Sequence, residues 1–253
     1  LGDLAMAKKS FAHAKRHFDE SVRLASYLQS QDAYDRQVRI DLACYYNKRG
    51  EALQAMADEP SPLRAGKPDS GERHKLLAAA RQDFTAMQEI LQGLVGSEAS
   101  ASGRPAAESR HDLQRYQSIA FKSLGELATA SFEESCSPAD HQLAAHNHAE
   151  AVRLREELVR IAEQQSHPGD GRTAVVSSGG PILQGQLDLI TARLSQVRLL
   201  LAPCSKPPPD LVAAEEALCA VRATLVRYRS QFAQDVMVRE VNQEVRIRCA
   251  RLL

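Results

Sequence analysis

The chain has 253 residues, and its 32 Lys and Arg balance 32 Asp and Glu to a formal net charge of zero. No basic surplus gathers on any segment, which argues against a nucleic-acid or anionic-membrane binder, and no apolar run approaches the ~18 residues of a membrane span. Trp is absent and aromatics make up 5%, while Ala, Leu, Glu, Gln and Arg dominate, so an all-α chain is expected.

Between breaks rich in Pro, Gly and Ser, apolar residues recur at three- and four-residue steps. The spacing predicts helices over 1–8, 10–30, 33–57, 73–92, 108–132, 140–165, 181–202, 210–230 and 233–252. Ser10, Asp140 and Asp210 stand where N-caps accept from orphan backbone N–H groups. Pro181 suits a first turn, where its missing N–H costs nothing. The breaks at 58–73, 93–108, 166–180 and 202–209 read as loops, and 173–176 is the one strand-like stretch, too short for a sheet.

A pattern repeats along these helices. Leu1, Gly2 and Ala5, then Ala14, Phe18 and Ser21, return as Arg49, Gly50 and Leu53, then Ala80, Phe84 and Met87. A third copy opens with Leu124, Gly125 and Ala128. Glycine inside a helix costs about 1 kcal/mol relative to Ala, so three at helix centres point to close approach by a second helix. Phe18 and Phe84 are therefore expected to be buried between the helices of their pairs. In the third pair, Ala145, Ala149 and Val152 keep the expected steps, with no aromatic. The fourth pair, 187–201 and 211–225, keeps helical periodicity with Ala213, Ala217 and Ala220.

This pattern resembles the tetratricopeptide repeat. Residues 39–51, RIDLACYYNKRGE, and 11–24, FAHAKRHFDESVRL, are similar to a long-period bacterial type of it, clearest over 1–92. The resemblance implies a right-handed α-solenoid of antiparallel helix hairpins over 1–253, with repeats at 1–30, 33–92, 108–165 and 181–230. A capping helix over 233–252 would close the stack, with Val236, Val238, Val241, Val245 and Ile247 as its apolar surface. Proteins of this kind are adaptor or sensor modules, often attached to signalling ATPases, proteases or other effectors. Leu1 and Gly2 match the middle of a first helix, so the chain is expected to continue upstream into a further domain of the same polypeptide. The first hairpin is then expected to be the least protected in hydrogen exchange.

Catalytic patterns are lacking. His13 and His17 stand four apart without an HExxH motif and read as solvated; in the looser group His141, His146 and His148 only His141 and His148 share a face, and no metal is expected there. Gly66 to Gly71 has the glycine spacing of a phosphate loop but is followed by Glu72 and Arg73 rather than Lys and Ser or Thr. No strand-borne GxSxG elbow is present. The five cysteines, Cys44, Cys136, Cys204, Cys219 and Cys249, are dispersed and read as reduced thiols of a cytoplasmic protein. No enzyme, metal or cofactor is expected.

The expected binding surface is the concave face lined by the first helix of each pair. Its candidates are Asp3, Cys44, Asn47, Lys48, Glu51, Gln54, Ile119, Lys122, Ser123, Glu126 and Thr129, with an acid one residue after each glycine. A polar row of this kind suits charge-paired contacts with a peptide or partner domain, although no two-carboxylate clamp is recognisable. The alternative is a structural solenoid packed permanently against another domain or a copy of itself.

Overall fold

The computed structural model describes residues 1–59, 70–100, 107–165, 181–202, 204, 210–227 and 243. Every regular element among them is an α-helix: α1 (Gly2–Ala7), α2 (Phe11–Gln31), α3 (Arg36–Asp58), α4 (Ser70–Ser100), α5 (Ala107–Ser135), α6 (Pro138–Gln165), α7 (Pro181–Leu200) and α8 (Leu211–Arg227). The expected strand-like stretch at 173–176 and, apart from Gln243, the capping helix at 233–252 lie outside the described residues.

Helix ends follow local chemistry, with three departures from expectation. Asp210 caps α8, accepting from the Ala213 N–H at 3.0 Å, and Pro181 opens α7. Ser10 precedes α2, but its hydroxyl pairs with His13 Nδ1 at 2.8 Å instead of capping. Asp140 is no cap, because α6 begins two residues earlier at Pro138; its carboxylate accepts from the Ser131 hydroxyl at 2.8 Å. The loop expected at 93–108 is also corrected, since α4 runs on through Gly93 and Gly96 to Ser100. Leu91 and Leu94 are fully buried on that stretch, and burying a leucine is worth about 2 kcal/mol, more than a helical glycine costs.

The chain forms two compact units, Leu1–Ala120 and Phe121–Leu253, divided within α5. In the first, α1 packs on α2, α2 on α3 and α3 on α4. Ile40 and Ala43 of α3 meet Met87, Leu91 and Leu94 of α4 together with Leu113 and Ala120 of α5. In the second, α6 packs on α7 and α7 on α8. Leu187, Ile190, Leu194 and Val197 of α7 interleave with Ala214, Leu218, Val221 and Leu225 of α8. Both sets step by three and four residues, the spacing that keeps one helix face on a neighbour. Ala128, Phe132, Ala144, Leu199, Ala202 and Cys204 form a further cluster of that unit.

The expectation of reduced thiols is corrected for one pair: Cys136 and Cys204 form a disulfide across 68 residues of sequence. Cys44 and Cys219 are free.

Candidate interaction surface

One packing device recurs and sets where the candidate residues stand. A Cβ added at Gly2 would lie 2.5 Å from Phe18 Cε1, and one at Gly50 would lie 2.6 Å from Phe84 Cε1. Both rings are buried, as the spacing predicted, so the glycine hydrogens form the floor on which each ring lies. At Gly125 the same added atom would meet the His148 ring at 2.7 Å. The third pair thus has a planar ring after all, supplied by the buried His148. The expected register there is wrong by one residue. Ala144 is fully buried and His148 follows it by four, as Phe18 follows Ala14 and Phe84 follows Ala80. Ala149 is exposed. In the fourth pair the buried set is Ala214 and Leu218 rather than Ala213, Ala217 and Ala220, and Val197 of α7 packs with it.

The third ring brings polar chemistry into the core. Thr129 donates its only hydroxyl proton to the Gly125 carbonyl at 2.8 Å, so its oxygen must accept from His148 Nε2–H at 2.9 Å. Nδ1 is then a bare lone pair, buried and without a partner. Burial pushes the His148 pKa down to about 4, with the positive charges of Lys122 and Arg198 adding to the shift and Glu126 opposing it. The imidazole is neutral at pH 7 and serves as a packing plate.

Arg49, next to Gly50, anchors the second pair. Its guanidinium donates from Nε and Nη2 to both oxygens of Asp83 at 2.8 and 2.6 Å and reaches Asp19 at 3.4 Å. Asp19 follows Phe18 and Asp83 precedes Phe84, so one arginine ties two ring-bearing helices to α3. Asp83 is 4% exposed, and the fork geometry makes this one of the stronger pairs in the chain. Asp83→Asn is expected to cost about 2 kcal/mol, less than for a fully buried pair because Arg49 keeps some solvent. A thermal melt unchanged from wild type would show that the pair is idle.

The candidate residues fall into two patches, one in each unit. In the first, the Lys48 ammonium lies 3.6 Å from the Asp3 carboxylate and 3.3 Å from that of Glu51. Partial burial works against its charge, but the two carboxylates outweigh this and raise its pKa. All three groups keep substantial solvent contact, and Gln54 is half-buried. Asn47 is a correction, since it is 6% exposed, donates to Glu51 at 2.8 Å and leaves its Oδ1 buried without a partner. Cys44 packs on the α3–α4 core, where burial raises its pKa, and Ile119 packs on the same cluster.

In the second patch, Lys122 pairs with Glu126 at 2.9 Å, and Glu126 also accepts from the Ser195 hydroxyl at 2.8 Å. Burial would raise the Glu126 pKa, but Lys122 and Ser195 more than reverse it and hold the carboxyl below its usual range. Ser123 and Thr129 are buried and belong to the core, not to a surface. Ser195 was not among the sequence candidates. It stands two residues before Val197, as Lys48 stands two before Gly50, and each receives the acid one residue after the preceding glycine, Glu126 or Asp3. No glycine marks Val197, so no local pattern signals this register.

Chemically the two patches can hold charge and hydrogen bonds. Among the described residues no group of three His, Cys, Asp or Glu side chains could hold a metal, and no helix is long and apolar enough to cross a membrane. His13 and His17 are exposed, and His141 lies edge-on to the Phe132 ring at 4.9 Å. No family model, no curated protein and no solved structure matches the chain.

Proposed function

We propose that this chain is a non-catalytic helical-repeat module of the tetratricopeptide type, an α-solenoid of antiparallel hairpins. It would bind a protein or extended peptide on its two polar patches and serve as the adaptor or sensor arm of a larger cytoplasmic protein. The observation that carries the reading is the thrice-repeated ring-on-glycine contact at Gly2, Gly50 and Gly125. A helix pair locked this way keeps its first helix close and its polar side chains on the opposite side. Lys48 then serves both Asp3 and Glu51, the acids after the first two glycines, while Lys122 and Ser195 serve Glu126, the acid after the third. The exposed pairs of Lys48 with Asp3 and Glu51 add only about 0–1 kcal/mol to stability, so folding alone gives little reason for them. A ligand with an ammonium or guanidinium group would exchange with Lys48 for two carboxylates at once.

The test is a displayed peptide library selected against the full chain, followed by affinity measurement with Glu51→Lys and Glu126→Lys variants. Basic peptides should emerge, and at least one reversal should weaken them about tenfold or more while the helical circular dichroism is retained. Peptides indifferent to both reversals would defeat the reading.

A second reading, permanent assembly with another copy, has its own support in α2. Leu24, Tyr27 and Leu28 stand at three- and four-residue steps on that helix and are 48%, 60% and 52% exposed. Light scattering across a concentration series separates the two, since a stable dimer favours assembly and a monomer favours the binding module.

A further inference from the structure

Cys136 and Cys204 are bonded to each other yet sit in opposite environments. Cys136 lies just past the end of α5, is exposed, and has a left-handed backbone with φ of 51°. Its N–H donates to the Phe132 carbonyl at 2.7 Å, which fixes that turn. Cys204 is 2% exposed, packed with Phe132, Leu199 and Ala202. Its Sγ also lies 3.2 Å from the same Phe132 carbonyl oxygen, within reach for a thiol to donate a hydrogen bond. The buried sulfur therefore has a partner in either redox state: Cys136 when oxidised, the carbonyl when reduced. A purely structural crosslink has no need of the second partner.

We propose that Cys136–Cys204 is a reversible thiol–disulfide exchange site, opened through Cys136 by a small thiol of the glutathione class. The thiolate attacks Cys136 Sγ, forming a mixed disulfide there. The Cys136–Cys204 bond breaks, and its electron pair leaves on Cys204 Sγ, which takes a proton from water and, as a thiol, donates a hydrogen bond to the Phe132 carbonyl. A second thiolate attacks the small-molecule sulfur of the mixed disulfide, and Cys136 leaves as a thiolate that is then protonated. In sum, two small thiols are oxidised to their disulfide and the protein pair gains two electrons and two protons. The crosslink ties the end of α5 to the segment after α7, the two helices that carry Glu126 and Ser195. Opening it would loosen the second polar patch, a consequence that rests on the binding reading; the exchange chemistry does not.

The experiment uses the full chain with Cys44, Cys219 and Cys249 replaced by Ser, held native in glutathione buffers of graded ratio, then acid-quenched and mapped by mass. The pair should reduce without denaturant, with glutathione captured on Cys136 alone. In a Cys204→Ser variant glutathione should cap Cys136 readily. In Cys136→Ser it should cap Cys204 on the order of a hundredfold more slowly, as for a group reached only by local opening. Capping of Cys204 first, equal rates at the two sites, or exchange that requires urea would overturn the proposal. Should either variant lose its helical circular dichroism, the parent chain decides alone: native exchange faster than global unfolding supports the site, and exchange no faster than unfolding refutes it.

Discussion

Phe84→Ala is expected to destabilise the chain by about 3–5 kcal/mol, the usual cost of truncating a buried aromatic. The ring is fully buried and lies directly over Gly50, so its removal leaves a void that helix backbone cannot fill. Gly50→Ala should also destabilise, because its new methyl would start 2.6 Å from Phe84 Cε1 and that ring is fully buried. The two changes should not add. In the Phe84→Ala background the space over residue 50 is open, and alanine there gains about 1 kcal/mol of helix propensity over glycine. The sign of the Gly50→Ala effect is thus expected to reverse between backgrounds, measured as a coupling energy in a double-mutant cycle by denaturant unfolding. Additive effects would mean that ring and glycine do not meet in solution.

The second large effect is acid destabilisation centred on His148. Its folded pKa of about 4 lies below the ordinary value of 6.5, so between those values the unfolded chain binds the extra proton. The stabilisation is complete above pH 6.5 and is lost as pH falls toward 4, amounting to about 3 kcal/mol over that window. Glu126, held below its usual range, adds a separate loss at still lower pH. His148→Phe places in the third pair the ring found in the first two. It should remove most of the slope between pH 6.5 and 4 while leaving the helical signal at pH 7 intact. A slope that persists in His148→Phe would assign the acid sensitivity to other groups.

Phe18, Phe84 and their glycines were legible in sequence because a helical glycine has a steric reason and a ring at fixed spacing supplies it. His148 was not, because histidine reads as polar until its partners are known. The hydrogen-bond partner that seats it, the Thr129 hydroxyl, itself held by the Gly125 carbonyl, lies 19 residues away along the chain. Once the ring is missed, Ala145 and Ala149 look as good as Ala144, and the register slips by one. Val197 shows the limit of a glycine-based pattern, since a valine holds the place of glycine when the facing residue is Leu218 rather than a ring.

The contacts among the candidate residues were legible in part. Asp3, Lys48, Glu51, Lys122 and Glu126 do stand in mutual contact within their units, because an acid after each glycine fixes its helix face. Asn47 was placed on that surface by its helix face, three residues before Gly50, whereas its neighbours bury it. Ser195 and the Cys136–Cys204 bond depend on contacts 69 and 68 residues apart, which no local pattern encodes.

The most direct measurement of the central claim is amide hydrogen exchange of the full chain with and without a peptide selected for binding. New protection should appear in α1 and α3 around Asp3, Lys48 and Glu51, or in α5 and α7 around Lys122, Glu126 and Ser195. Protection confined to α2 around Leu24, Tyr27 and Leu28, with both polar patches unchanged, would contradict it.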